Sequence, residues 1–237
     1  FKSFLRESGL DRKHIAQTLE IESPFDLAEQ AKLVVPKMGV SAKDSVAHTK
    51  CLIEMVPLAL RAVRKGSGAL MIFASLKQMR EVAEGMPDDV KRILLVQGEM
   101  GKTAMLEEHR RRIEAGQCSV LFGSQSMEEC VDLPGRLCEM VLIAKLPFTV
   151  PSGAVETVRK SWIEKKGGNY FREVAVPNAC RRLAQEAGRL IRQEGDRGSI
   201  VVFDERLVDT AFGKEILGGM PPISIERRLP GQIDAPW

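Results

Sequence analysis

Apolar and polar residues follow one another along this chain in blocks of two kinds. Short continuous apolar runs, typical of strands buried on both faces, are separated by longer segments whose apolar residues recur every three or four positions, as on one face of a helix. The predicted strands are KLVVP (32–36), ALMIFA (69–74), RILLV (92–96), SVLFG (119–123), EMVLIA (139–144) and SIVVFD (199–204). The predicted helices lie at 45–64, 76–84, 102–115, near 153–165, through the segment after 176, and near 206–217.

The regular alternation of strands and helices predicts an α/β fold, a parallel sheet with helices on both faces. In such sheets ligands bind beyond the carboxyl ends of the strands. We therefore expect a site among the loops that follow residues 74, 97, 123 and 145.

The chain is predicted to consist of three parts, the second of which contains an insertion. Residues 1–31 are polar and mixed, and are interpreted as a connector. The α/β domain is expected over 32–220, with an insertion at about 149–176 that interrupts the alternation. Residues 221–237 contain four prolines and are expected to trail over the surface as a C-terminal tail.

Composition narrows the function classes only a little. The net charge of +3, from 35 basic and 32 acidic residues, is too small to indicate a nucleic-acid partner without local clusters. No apolar run reaches the roughly 18 residues of a membrane span, and no signal peptide is recognisable. We expect a cytoplasmic protein without a membrane partner, and interpret the start at Phe1 as that of a fragment.

Cysteine and histidine spacing does not indicate a metal site. The five cysteines form no C-x-x-C pair and the three histidines are far apart in sequence. Free thiols in a reducing compartment are the expectation, and no metal-binding residue is predicted.

Two segments imitate parts of a phosphate-binding loop enzyme. VQGEMGKT (96–103) places Lys102 and Thr103 as a Walker A motif does, but Gly98 is only three positions before Gly101, so the loop is too short. VVFDER (201–206) similarly imitates a Walker B strand. A self-contained P-loop enzyme therefore stays open, as the least favoured of the three hypotheses considered for this chain.

The segment QEAGRLIR (185–192) continues a predicted amphipathic helix. At about 100° per residue, Gln185, Arg189 and Arg192 fall within about 60° of one another, and the apolar residues lie on the other side. Paired guanidinium groups suit the recognition of phosphate and the stabilisation of a transferring phosphoryl group. The alternative is an ordinary solvated helix face.

The same segment resembles motif VI, Q-x-x-G-R-x-I-R, of the XPD/DinG superfamily 2 helicases. Other landmarks of that family occur in the same order: SPFD (23–26), MIFASLKQM (71–79, similar to motif IV), LVQGE (95–99), VLFGSQSMEECVDLPG (120–135, similar to motif V), KLPF (145–148) and VVFDERL (201–207). The similarity covers nearly the whole chain, and SPFD, LPF and D-x-R favour the DinG type.

The resemblance implies the second RecA-like motor domain of an ATP-dependent DNA helicase that moves 5′ to 3′ on single-stranded DNA. The Walker A motif, the Mg²⁺-binding residues and any iron–sulfur cluster would belong to a first motor domain that precedes the connector. This chain would bind no metal itself and would be inactive alone. Its partners would be single-stranded DNA and that first domain, in a bacterial protein associated with the nucleoid.

The resemblance also implies roles for individual residues. Arg189 and Arg192 would be arginine fingers on the transferring phosphoryl group. The remaining nucleotide-binding residues would be Gln185, Gly188, Glu129 and Asp132, and the DNA-binding residues would be Ser75, Lys77, Gln97, Gln125 and Ser126. Ser75 could instead cap the following helix, and Gln97 could be a plain turn residue.

Three positions depart from the family pattern. Cys130 stands where motif V usually has glycine, Arg136 where an acidic residue is common, and Leu76 where motif IV often has tyrosine. These departures motivate a second hypothesis, a degenerate motor that acts as a recruitment module of a CRISPR-associated ribonucleoprotein complex. The residues themselves do not decide between this hypothesis and the motor.

Overall fold

Seven strands, all parallel, form one sheet in the computed structural model, which describes Leu19 and residues 25–128, 132–148 and 153–232. The strands are β1 (Ala31–Pro36), β2 (Gly68–Phe73), β3 (Leu94–Val96), β4 (Ser119–Ser124), β5 (Met140–Ile143), β6 (Gly198–Val202) and β7 (Ser224–Arg228). Their order across the sheet is β3-β4-β2-β5-β6-β1-β7. All carboxyl ends therefore lie at one edge, which we call the carboxyl edge, and all amino ends at the other, the amino edge.

Helices cover both faces of this sheet. They are α1 (Leu27–Gln30), α2 (Ser45–Leu60), α3 (Leu76–Gly85), α4 (Asp88–Lys91), α5 (Lys102–Glu114), α6 (Gln125–Glu128), α7 (Ala154–Lys165), α8 (Val176–Ala187), α9 (Arg206–Asp209) and α10 (Ala211–Gly218). The apolar residues divide into two clusters, one including α5, α8 and α10 and the other α2, α3 and α4. The predicted α/β fold with helices on both faces is confirmed.

Each strand except β7 contributes alternate side chains to the two clusters. In β2, Leu70 and Ile72 belong to one cluster, and Met71 and Phe73 to the other. Because both faces are apolar, the strands appear in the sequence as continuous apolar runs, which is how six of them could be predicted.

The strand β7 was not predicted. Residues 221–237 were expected to trail over the surface, but Ser224–Arg228 pairs in parallel with β1, from Lys32↔Ser224 to Pro36↔Arg228. This strand lies at the edge of the sheet and its side chains are mostly exposed. The Glu226 Oε1 forms an ion pair with the Lys32 Nζ at 3.0 Å. A polar edge strand has no apolar run, so the hydrophobic pattern could not reveal it.

The last predicted helix is divided in two. The chain breaks at Thr210, whose Oγ1 accepts a hydrogen bond from the Gly213 backbone N–H at 3.0 Å and so caps α10. A hydroxyl at an N-cap satisfies one of the N–H groups that have no partner inside the helix.

His109 ties α5 to the amino edge of the sheet. Its ring is fully buried, with Nδ1 2.9 Å from the Ser119 Oγ and Nε2 2.9 Å from the Leu137 carbonyl oxygen. The neutral imidazole fits both partners, with Nε2–H donating to the carbonyl and Nδ1 accepting from the hydroxyl. Burial lowers the pKa of His109 to about 4.

The low pKa of His109 predicts that acid destabilises this domain. A histidine with a folded pKa near 4 and an ordinary value of 6.5 binds protons more weakly when folded, so stability is complete above pH 6.5 and falls as the pH drops toward 4. We expect the free energy of unfolding in urea to fall by about 2 kcal/mol between pH 7 and pH 5 on account of this group. Burial also lowers the pKa of His48, which adds a loss in the same direction.

The control for this prediction is His109→Gln, which removes the titrating group while keeping a polar side chain. Its stability should be lower at pH 7 but should depend less on pH between 7 and 5. An equal pH dependence in the wild-type chain and in His109→Gln would contradict the assignment.

Candidate nucleotide and nucleic-acid interface

Polar side chains follow three neighbouring strands at the carboxyl edge. Ser75 comes after β2, Gln97 after β3 and Gln125 after β4, and the paired residues Phe73 and Ser124 bring the ends of β2 and β4 side by side. The structure thus groups three of the five residues predicted to contact DNA. Lys77 is on the first turn of α3. Its side chain is 85% exposed, and its Nζ lies 3.7 Å from the Glu81 Oε1.

Ser75 is the N-cap of α3. Its Oγ accepts a hydrogen bond from the Gln78 backbone N–H at 3.3 Å. Ser75 therefore has the helix-capping role that the sequence offered as an alternative to DNA binding. Residues 74–77 are nevertheless exposed at the end of β2, and the hydroxyl group keeps its own proton to donate. Capping and a phosphate contact are compatible at this position.

Gln97 joins the ends of β3 and β4. Its Oε1 accepts from the Ser124 backbone N–H at 2.7 Å and from the Ser124 Oγ at 2.9 Å. Because β3 is a three-residue strand at the edge of the sheet, this side chain continues the pairing where the strand itself has ended. Gln97 is therefore more than a plain turn residue.

Gln125 contacts helix α8, whose last turn contains the start of the motif VI segment. Its Oε1 accepts a hydrogen bond from the Arg182 guanidinium Nη1 at 2.8 Å. The backbone of Ser126 lies in α6, but its side chain is outside the described residues, as are Glu129 and Cys130 of the same segment. The Gln125–Arg182 contact joins the motif V segment to α8 near the carboxyl edge.

The helical strip expected over 185–192 is only partly present. Helix α8 ends at Ala187 with Gly188 as its C-cap, and residues 188–190 form a turn and a bend. Arg189 and Arg192 therefore lie beyond the helix, so the angles assigned to them by helical periodicity are wrong. Glycine lowers helix stability relative to other residues, which favours a stop here, whereas the apolar pattern through Leu190 and Ile191 suggested continuation.

Residues 188–197 instead form a loop, which we call the arginine loop, that returns the chain to β6. Gln185 is exposed on the last turn of α8, and Leu190 and Ile191 are buried in the core and anchor the loop. Gly188 has a right-handed conformation, with φ −65°. Its lack of a side chain is therefore not required by the backbone angle.

Asp132 and Arg192 meet across the end of the motif V segment. The Arg192 Nε is 3.9 Å from the Asp132 Oδ1, with side chains 34% and 76% exposed. An exposed pair at this distance contributes little to stability, but it shows which surfaces adjoin. Because Asp132 precedes the turn Gly135–Leu137 that leads into β5, the contact lies toward the amino edge.

The two described parts of the motif V segment (120–135) lie at different edges of the sheet. Gln125 follows the carboxyl end of β4, and Asp132 lies beside the arginine loop. Of the four predicted nucleotide-binding residues besides the two arginines, Gln185, Gly188 and Asp132 lie along the end of α8 and the arginine loop. Glu129 is outside the described residues.

A family model matches the part of the chain that contains these residues. Residues 59–223 match the model of the family described as "Helicase C-terminal domain", a range that includes the carboxyl-edge residues, the motif V segment and the arginine loop. The chain belongs to the helicase C-terminal domain family.

Curated relatives carry the same domain at the level of sequence. The chain is 36% identical over 225 residues to the ATP-dependent DNA helicase DinG of Photobacterium profundum, and 33% identical over 231 residues to that of Escherichia coli K12. These matches cover 94% and 96% of this chain but 32% of either relative. The chain thus spans about a third of the length of the curated relatives it matches.

Solved helicase structures share the fold. An XPD helicase structure matches this chain with a TM-score of 0.59 and 16% identity. The match covers 84% of this chain and 36% of the XPD chain. The Xpd4 protein of S. tokodaii matches 90% of this chain and 41% of its own length, with a TM-score of 0.59 and 14% identity. The RecA-like fold and the resemblance to a DinG/XPD-type second motor domain are confirmed.

The two P-loop lookalikes have other roles in this helicase C-terminal domain. The Lys102 Nζ donates to the Met127 carbonyl oxygen of α6 at 3.2 Å, and the loop before it follows the edge strand β3. Asp204, at the end of β6, is 1% exposed and fully occupied by Arg206 and by the Leu146 backbone N–H. Neither segment has the geometry of a phosphate loop or of an available metal ligand.

Asp204 joins two of the three markers that favoured the DinG type, D-x-R and LPF. Its Oδ1 and Oδ2 accept from the Arg206 Nε at 2.8 Å and Nη2 at 2.6 Å, while Oδ2 also accepts from the Leu146 N–H at 3.1 Å. Phe148, two residues further on, packs against Phe212 at 5.6 Å between ring centroids. The D-x-R and LPF elements therefore form one buried clasp beside the carboxyl edge.

Sequence reasoning missed two buried polar residues, Gln30 and Asp196, whose side chains bind the backbone of the arginine loop. Asp196 had a weak signal, since an aspartate in the turn GDRG before a strand is typical of a side chain that binds nearby backbone N–H groups. Gln30 had none.

Within the described residues, no helix is long and apolar enough to cross a membrane.

The clasp predicts a large loss of stability for Asp204→Ala. The substitution leaves the half-buried Arg206 guanidinium and the Leu146 N–H without their acceptor, and breaking a buried pair in this way costs about 3 kcal/mol or more. The measurement is urea unfolding of the chain. The matched control is Asp209→Asn, which alters the exposed pair of Asp209 with Arg227 and should change stability far less. Equal losses in the two variants would disprove the importance of the clasp.

Proposed function

We propose that this chain is the second motor domain of an ATP-dependent helicase that moves 5′ to 3′ on single-stranded DNA. The observation that carries the proposal is a pair of contacts of the motif V segment: Gln125 binds Arg182 of α8 near the carboxyl edge, and Asp132 pairs with Arg192 of the arginine loop. The chain covers only a third of its DinG relatives. The proposal therefore includes a first motor domain that holds the nucleotide.

In this proposal Arg189 and Arg192 act on the nucleotide as arginine fingers. Two guanidinium groups on one short loop can stabilise the charge that develops on a transferring phosphoryl group. Gln185, one turn before Gly188, would orient the same phosphate. Asp132 would hold Arg192 at the surface until the domains close, since an exposed ion pair is weak and easily exchanged.

ATP and Mg²⁺ are assigned mainly to the first motor domain. Within the described residues no three His, Cys, Asp or Glu side chains come together as a metal site, and Asp204 is engaged by Arg206. In this proposal the chain supplies positive charge to the phosphates, through Arg189 and Arg192 of the arginine loop. The reaction that ATP supports when bound is phosphoryl transfer to water.

Single-stranded DNA is assigned to the carboxyl edge. Ser75, Gln97 and Gln125 lie at the ends of three adjacent strands, and Lys77 is nearby. Short hydroxyl and amide groups with one lysine can contact the phosphate backbone without reading base sequence. A motor that moves along DNA of any sequence needs contacts of this kind.

The arginines provide the sharpest test of the motor. In the complete protein, Arg189→Ala and Arg192→Ala should each lower the kcat of DNA-stimulated ATP hydrolysis strongly, because arginine fingers contribute about 10³–10⁵ in rate. The binding of single-stranded DNA should change little, since the DNA residues are at the other edge. Both quantities are measurable on one preparation, by phosphate release and by fluorescence anisotropy.

Arg197→Ala is the matched control, because Arg197 is an exposed arginine at the end of the same loop and is not part of the motif VI pattern. Its kcat should remain near that of the wild type. An unchanged kcat in both Arg189→Ala and Arg192→Ala would refute the arginine-finger proposal. An equal fall in Arg197→Ala would show a general effect of charge instead.

A further inference from the structure

The arginine loop is held from within by a buried carboxylate. The Asp196 Oδ2 accepts hydrogen bonds from the backbone N–H groups of Arg192 at 2.8 Å and Gln193 at 2.9 Å. The Asp196 N–H in turn donates to the Gln193 carbonyl at 3.1 Å. Asp196 is only 7% exposed, so water competes little for these bonds, and they fix the backbone from which the Arg192 side chain projects.

The same loop is held from outside by the end of the connector. The Gln30 Nε2 donates to the carbonyl oxygens of Glu194 at 2.8 Å and Asp196 at 3.1 Å. Gln30 is 8% exposed and closes helix α1, whose N-cap Asp26 binds two of its backbone N–H groups. One amide side chain therefore crosses from the segment before β1 to the loop before β6.

These contacts form a continuous chain from α1 to Arg192. Gln30 uses two donors on two loop carbonyls, and Asp196 uses one oxygen on two loop N–H groups. A ten-residue loop without such bonds would sample many backbone conformations, and each one would place Arg192 differently. The four bonds select one conformation.

We propose that Gln30 and Asp196 are positioning residues for Arg192, so that the connector helix α1 sets the place of an arginine finger in the composite ATP site. The inference rests on the proposed function of Arg192. Neither residue touches the nucleotide in this proposal; both act through the backbone of the arginine loop. The connector thus contributes to catalysis as well as to linkage.

The test uses four variants of the complete protein. Asp196→Ala and Gln30→Ala remove the bonds and should lower the kcat of DNA-stimulated ATP hydrolysis by about ten- to a hundredfold, because displacements of about 1 Å have effects of this size. Asp196→Asn retains a side-chain oxygen and should recover most of the rate. Gln30→Glu is isosteric but places an acceptor against two carbonyl oxygens, so its kcat should fall at least as far as that of Gln30→Ala. The KM for ATP should change much less than kcat in every case.

Double variants separate positioning from a general structural effect. In an Arg192→Ala background, Asp196→Ala or Gln30→Ala should cause little further loss, because the side chain they position is already gone. Losses that simply multiply would overturn the proposal, as would a wild-type kcat in both Asp196→Ala and Gln30→Ala. Gln193→Ala, an exposed side chain on the same loop, is the control and should remain near the wild type.

The outcome also distinguishes this inference from the function on which it rests. If Arg192→Ala itself leaves kcat unchanged, the arginine-finger proposal fails first. If Arg192→Ala lowers kcat but the variants of Gln30 and Asp196 do not, only the positioning role is wrong. Thermal unfolding of each variant checks that it is folded. If Asp196→Ala does not fold, Gln30→Ala and Gln30→Glu still test the proposal, since they remove the bonds of Gln30 to the loop.

Discussion

The parallel direction of all seven strands is the constraint on which the rest of this domain depends. It gathers every carboxyl end at one edge and requires every connection to return to the other edge. The motif V segment is one such return, from Gln125 to Asp132, and α8 with the arginine loop is another. Two distant edges of one rigid sheet are thereby joined by the segments that carry the candidate DNA and nucleotide residues.

Much of the fold could be predicted from the hydrophobic pattern, since strands such as β2 and β5 are buried on both faces and form continuous apolar runs. The pattern failed at a polar edge strand and at the end of a helix. The edge strand β7 is polar, and α8 stops at Gly188 although apolar residues continue to Ile191, because Leu190 and Ile191 are buried from a loop. Apolar periodicity reports which residues are inside, and only indirectly how the backbone brings them there.

Residues of the candidate site could be proposed from the sequence, but their contacts could not. The spacing of Gln185, Arg189 and Arg192 resembled motif VI, but the contacts that hold the arginine loop come from Gln30 and Asp196, far apart in sequence and unremarkable alone. Long-range polar pairing leaves no periodic signal. The clasp of Asp204 with Arg206 and Leu146 is similar: its residues were noticed as family markers, and only the structure joins them through hydrogen bonds.

We propose that this chain is one half of a composite ATP site, whose arginines lie on one domain and whose phosphate loop lies on another. The most direct test is ATP hydrolysis in the presence of single-stranded DNA by three samples: this chain alone, the preceding part of the same protein alone, and the two joined. The account predicts DNA-stimulated hydrolysis only when both are joined in one protein. Hydrolysis by this chain alone, at a rate comparable to that of the joined protein, would contradict it.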